Sequence, residues 1–177
     1  MNRNAFLAIA LITLAAGCGS KTPTTPSTNP NQVKFTAAVL PSNEVPAITD
    51  AEASGRGTVN ITFNLTKDAA GAITAVTADF ALDVNSFPPG TPITAAHIHS
   101  GANGINGGII ISMGLGAGEI VLVNGSQTGI IKTGQTNGGL FTPAQAQDII
   151  NNPGNYYFNI HSALHGAGVA RAQLVKQ

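Results

Sequence analysis

This chain has four histidines, and they come in two pairs. His97 and His99 stand as His-x-His in TAAHIHSGANGINGG, residues 94–108, and His161 and His165 lie in NIHSALHGAG. Neutral imidazole ligates borderline transition metals, and three or four histidines without a thiolate favour copper or zinc. On a strand, residues i and i+2 share a face, so His97 and His99 project side by side, about 6.5–7 Å apart at the backbone. The pairs lie more than sixty residues apart in sequence. Only the fold brings them together, and a shared site requires the His-x-His strand to lie beside or opposite the strand that ends at His161. The competing reading is structural: each ring hydrogen-bonds a carbonyl of a glycine-rich loop such as 101–108. Local spacing does not choose between them.

Other residues offer less chemistry. GANGINGG lacks the Gly-Lys-Ser/Thr and following helix of a phosphate loop, and its Asn-Gly steps mark turns. Glu44 and Arg171 are sparse charges that pair with each other, in a structural rather than catalytic role. No Ser-His-Asp set or carboxylate pair emerges from local spacing. Tyr156 and Tyr157 alternate across a strand, so one of them enters the core.

The elements that must position these residues are strands. VKFTAAVL (33–40) precedes a turn-rich stretch, and in Thr58–Leu65 the residues Val59, Ile61, Phe63 and Leu65 alternate with Asn and Thr, the pattern of a half-buried antiparallel strand. Residues 73–84 resume the alternation with a slip that predicts a bulge. Segments 93–99, 108–112, 119–123, 128–132, 156–161 and 169–175 read as further strands, and Asn124-Gly125 predicts a tight hairpin. Short strands joined by turns indicate a sandwich or barrel. Thr142-Pro-Ala-Gln145 breaks the pattern: an N-cap threonine, proline at the first helical position and glutamine at the third predict one short helix, stopped by Asn151-Asn-Pro-Gly.

Composition sets the class. Only 9% of residues are charged and the formal net charge is zero, which excludes nucleic acid as a partner by electrostatics. The N-terminus reads as an export signal: Arg3, an apolar stretch AFLAIALITLAA too short to span a bilayer, then small residues and Cys18, the single cysteine. Leu14-Ala-Ala-Gly-Cys18 resembles the lipobox of bacterial lipoproteins, which implies a signal peptide over 1–17, lipidation of Cys18 and an anchor in the cell envelope, periplasm-facing or on the surface. Residues 18–32, rich in Pro and Thr, form an extended tether, and the folded domain occupies 33–177.

Three segments together resemble the CHRD (chordin-type) domain family: Asn43-Glu-Val-Pro46, Ala96-His-Ile-His99 with its Gly/Asn-rich loop, and Tyr157-Phe-Asn-Ile-His161 through Gly168-Val-Ala-Arg-Ala-Gln-Leu174. The resemblance implies an all-β, immunoglobulin-like sandwich found in secreted and surface-anchored proteins, a binding module with a protein or glycan partner and no established catalysis. At Val169-Ala170 the chain lacks an acidic residue usual in the family. The histidine arrangement is also similar to the copper side of copper/zinc superoxide dismutases, which place His-x-His on one strand of a Greek-key sandwich and a further histidine on a late strand. The bridging histidine, zinc-ligand aspartate and disulfide motif of those enzymes are missing here. Two functions therefore stand side by side: a lipid-anchored binding module, or a copper or zinc protein built on His97, His99, His161 and His165, redox-active in the manner of a superoxide dismutase.

Overall fold

A computed structural model describes residues 29–177. The signal segment, Cys18 and all but the last residues of the tether lie outside the described residues.

Two antiparallel sheets face each other. The first, sheet A, is laid down as a meander of β1 (Gln32–Val39), β2 (Arg56–Lys67) and β3 (Ile73–Asn85). The chain then crosses to sheet B with β4 (Thr91–Ser100), β5 (Ile109–Ser112) and β6 (Ile120–Leu122), the last two both pairing with β4. β7 (Gln127–Gln135) returns beside β3. Helix α1 (Pro143–Asn151) follows, then β8 (Tyr156–Ser162) beside β4, β9 (Ala170–Gln173) beside β8, and β10 (Val175–Lys176) back beside β1. The fold is an all-β sandwich with one short helix.

Alternation creates the core. Val59, Ile61, Phe63 and Leu65 of β2 and Val76, Ala78, Phe80, Leu82 and Val84 of β3 are all buried between the sheets. From sheet B come Ile93, Ala96, Ile98, Phe158, Ile160 and Ala170. Phe35, Phe63 and Phe141 form a chain of tilted rings with centroids 5.0 and 5.1 Å apart, offset geometries that aromatic quadrupoles favour. Helix α1 packs Ala146 and Ile149 inward against this core. Both halves of its capping box form: the Gln145 amide donates to Thr142 Oγ1, and the Thr142 amide donates to Gln145 Oε1. Two donors that a helix start leaves unpaired are thereby satisfied.

The bulge expected in 73–84 is present: pairing with β2 shifts between Thr66 and Lys67, where Thr74 is skipped, and pairing with β7 shifts between Ala78 and Phe80 and between Leu82 and Val84. Two other sequence expectations need correction. Asn124-Gly125 does not close a hairpin, since β6 and β7 belong to different sheets. It turns the corner between them, where the Phe87 amide donates to the Gly125 carbonyl. The segment 169–175 is not one strand. Leu174, 2% exposed, inserts into the core and switches the chain from sheet B to sheet A.

Candidate metal centre

Past the register shift between Ile93 and Ala95, the odd-numbered residues of β4, those of β8 and Arg171 of β9 point away from the core, onto the outer face of sheet B. That parity brings His161 beside the His97–His99 pair. β4 and β8 are neighbours, with Ala95 opposite His161, His97 opposite Asn159 and His99 opposite Tyr157. Ring centroids of His161 lie 4.8 Å from His97 and 5.9 Å from His99, and His97 and His99 are 5.5 Å apart. One ring nitrogen from each of the three comes within 4.8 Å of the others. A tetrahedral shell with bonds of about 2.0–2.1 Å sets its nitrogens roughly 3.4 Å apart. The observed spacing brackets that value, since His97 Nδ1 and His161 Nε2 are 3.0 Å apart and no pair of the set exceeds 4.8 Å.

The sequence set a metal role against a loop-bonding role, and the geometry shows that they are compatible. His99 Nδ1 lies 3.0 Å from the Gly107 carbonyl and His161 Nδ1 lies 3.0 Å from the Gly166 carbonyl. A carbonyl only accepts, so both Nδ1 atoms carry the proton and both Nε2 atoms keep a lone pair. His97 Nδ1 then donates to His161 Nε2 across 3.0 Å. His99 Nε2 is buried and has no hydrogen-bond partner among the described residues. Backbone carbonyls that fix the tautomer and leave the other nitrogen free are the outer shell that metal-ligating histidines usually have. The glycines are needed for the approach. A side chain at Gly107 would run into the Ser100 carbonyl, and Gly168, at φ +137°, sits against the Asn159 amide.

Burial keeps the rings neutral. It lowers the pKa of His97 to about 4, with the neighbouring His161 and His99 adding to the effect. It also lowers His99, against the bond to Gly107, and His161, against the bond to Gly166. At neutral pH the imidazoles are unprotonated, the state ligation requires.

His165 is not part of this cluster. It follows the end of β8 in a turn, and its Nε2 lies 2.9 Å from Asp50 Oδ2 and 3.8 Å from Glu52 Oε2. Leaving the sheet frees it from the strand's parity, and the acidic loop opposite captures it. Glu52 is buried and accepts a 2.6 Å bond from Ser162 Oγ. Sequence spacing gave no sign of this pairing across more than a hundred residues.

Glu44 and Arg171 do meet, at 4.0 Å, the outer limit of an ion pair. They meet because Leu40, just past β1, bridges to Arg171. Arg171 is 2% exposed and works as a post under two loops. Its Nε donates to the Asn43 carbonyl at 2.7 Å and its Nη1 to Asn106 Oδ1 at 2.6 Å, while Asn106 donates to the Val45 carbonyl. Desolvation dominates over this distant partner, and the Glu44 pKa is pushed up to about 7. The role of Tyr157 was not legible in the sequence. Tyr156 is the tyrosine that enters the core, and Tyr157 lies between the His99 ring, stacked at 5.0 Å, and the Arg171 guanidinium at 4.7 Å. Its hydroxyl accepts from the Gly107 amide.

Fold and site together define a β-sandwich in which loops roof a polar face and a three-histidine cluster. The family model of the CHRD domain matches residues 35–174, and the chain belongs to this family. Comparison with curated proteins and with solved structures gave no match.

Proposed function

We propose that this CHRD domain acts by binding, and that its ligand is a copper or zinc ion held by His97, His99 and His161. One observation carries the reading. Three imidazole nitrogens converge, with the Nδ1 protons of His99 and His161 engaged by loop carbonyls. His97 would ligate through Nδ1 once its proton sits on Nε2. An all-nitrogen donor set suits either ion. When bound, the ion supplies a Lewis-acidic centre; the protein's part is to hold neutral rings in place and to screen them under two loops.

Metal content of protein purified without a histidine tag tests this first. Wild type is expected to take up about one equivalent of Cu²⁺ or Zn²⁺, and at a hundredfold excess of ion over Kd to gain about 2.7 kcal/mol of stability. His97→Ala and His161→Ala should each weaken binding, and the double variant should lose little more than either one. Wild type without uptake, or uptake unchanged in both variants, refutes the proposal.

The lipobox-like Leu14–Cys18 supports presentation of the domain from the bacterial envelope on a lipidated Cys18, where it would also meet a protein or glycan partner. Several acyl chains hold a protein firmly, since each buried CH₂ contributes about 0.8 kcal/mol. Cys18→Ser should abolish membrane association, and mass spectrometry of the mature N-terminus should find a lipidated cysteine. A free thiol in a mature protein that begins elsewhere overturns the anchor.

A further inference from the structure

Among the described residues the cluster offers three donors, one short of a closed tetrahedral shell. Sites with three protein ligands keep a position for an exogenous donor. A cavity of about 470 Å³ adjoins the cluster, within the range of small-molecule sites. Its wall includes His99 itself, and also Gly107 and Gly166, the two residues whose carbonyls set the tautomers of His99 and His161. An occupant of the cavity therefore touches one ligand and the supports of two.

The rest of the wall states what would fit. Val45, Ile48 and Leu164 offer apolar surface. Glu44, 8% exposed, lines the same space, and its Oε1 has no hydrogen-bond partner among the described residues. It is an acceptor that an N–H group would satisfy. The wall contributes Glu44, and Asp50 and Glu52 lie against its His165, so an anionic ligand is disfavoured.

We infer that the cavity receives a nitrogen-donor ligand of the imidazole class, which completes the ion's shell through one ring nitrogen and donates its N–H to Glu44. This rests on the three-histidine reading of the site. Imidazole alone underfills the cavity, and a histidyl residue with its flanking peptide fills it better.

Copper-loaded wild type titrated with imidazole, followed by electron paramagnetic resonance, tests the inference. The expected result is a saturable spectral change with added nitrogen coupling while copper stays bound. Leu164→Trp should lower imidazole affinity at least tenfold with copper affinity unchanged, because Leu164 is an exposed residue of the cavity wall and lies outside the core. Ile48→Trp, at another residue of the wall, is a second block. A blocked, capped peptide with one internal histidine distinguishes the sources: binding as tight as imidazole or tighter marks a partner's side chain, and binding by imidazole alone marks a free small molecule. Copper uptake with no response to imidazole, or a response unchanged in both tryptophan variants, overturns this inference alone. A protein that takes up no copper ends both readings.

Discussion

The two sheets have outer faces of the same origin and opposite fate. On sheet A the outward residues of β2 and β3, such as Thr58, Asn60, Ala81 and Asp83, are exposed. On sheet B every residue of β8 is buried on both faces, and the outward set of His99, Tyr157, Asn159, His161 and Arg171 is nearly closed to solvent. Alternation made both faces polar. Loops made one of them chemical, because roofing a polar strand face strips its water and forces each group to find a partner or to keep a lone pair unspent. His99 Nε2 and Glu44 Oε1 remain unspent here.

The largest consequence of that contrast is at Arg171. Arg171→Ala removes the post beneath two loops and strands the Glu44 carboxyl, and breaking a buried pair in this way costs about 3–5 kcal/mol. Phe63→Ala, in the apolar core, should cost a similar 3–5 kcal/mol. Denaturant titration of both measures whether the roofed face is as tightly built as the core. A cost under about 1 kcal/mol for Arg171→Ala would place that face among ordinary surfaces.

The next effect is on pH dependence in the metal-free protein. His97 falls from 6.5 to about 4 on folding, so its contribution is present above pH 6.5 and lost as pH drops toward 4. Each unit is worth ~1.4 kcal/mol, which makes that loss on the order of 3 kcal/mol. Glu44 is shifted the other way, from 4.5 to about 7, so its contribution is present below pH 4.5 and lost as pH rises through 7. The two windows overlap with opposite slopes, and wild type should look flatter than either group alone. Glu44→Gln should unmask a steeper acid loss, and His97→Gln should make the acid loss shallower, with the lowered His99 and His161 keeping their share of it. Denaturation midpoints between pH 4 and 7 that move in parallel for all three proteins would show that these groups are not held as buried as the structure places them.

The sequence made half of this face legible. His-x-His on a strand must share a side, and Phe158 and Ile160 facing in force His161 out. The helix was equally plain, since Thr142, Pro143 and Gln145 carry its start signal locally. The roof was not legible, because an outward polar row reads the same whether water or a loop lies over it. The bridge from Leu40 to Arg171 and the bonds that Arg171 donates to Asn43 and Asn106 pin it from afar, and these span 65 to 131 residues. The same distance hid the partner of His165. Asn124-Gly125 and the 169–175 run misled for a related reason: turn chemistry and alternation are local, and which sheet a strand joins is not.

A smaller effect separates the roof from the sheet beneath it. Tyr157→Phe keeps the ring between His99 and Arg171 and deletes only the hydroxyl that accepts from the Gly107 amide. The expected cost is about 1 kcal/mol. Because Gly107 also orients His99, amide exchange of the 101–108 loop should quicken by about tenfold. Unchanged exchange would mean that Arg171 and Asn106 hold the loop by themselves.

The smallest effect is the counterpart on sheet A, and it isolates burial as the variable. Asn64 Nδ2 donates to Asp79 Oδ2 at 2.7 Å, shorter than the 3.3 Å bond from Gly107 to Tyr157. By distance alone it is the stronger of the two. Asn64 and Asp79 are only partly buried, and Asp79 also accepts from the Gly134 amide. When Asn64 is cut to alanine, water replaces it at the carboxylate and nothing is left unmet. Surface changes of this kind usually stay within about 0.5 kcal/mol. Asn64→Ala should therefore cost less than Tyr157→Phe, although the bond it deletes is shorter. A cost equal to or above that of Tyr157→Phe, measured in the same denaturant series, would mean that hydrogen-bond length outweighs burial and that the two outer faces do not differ in kind.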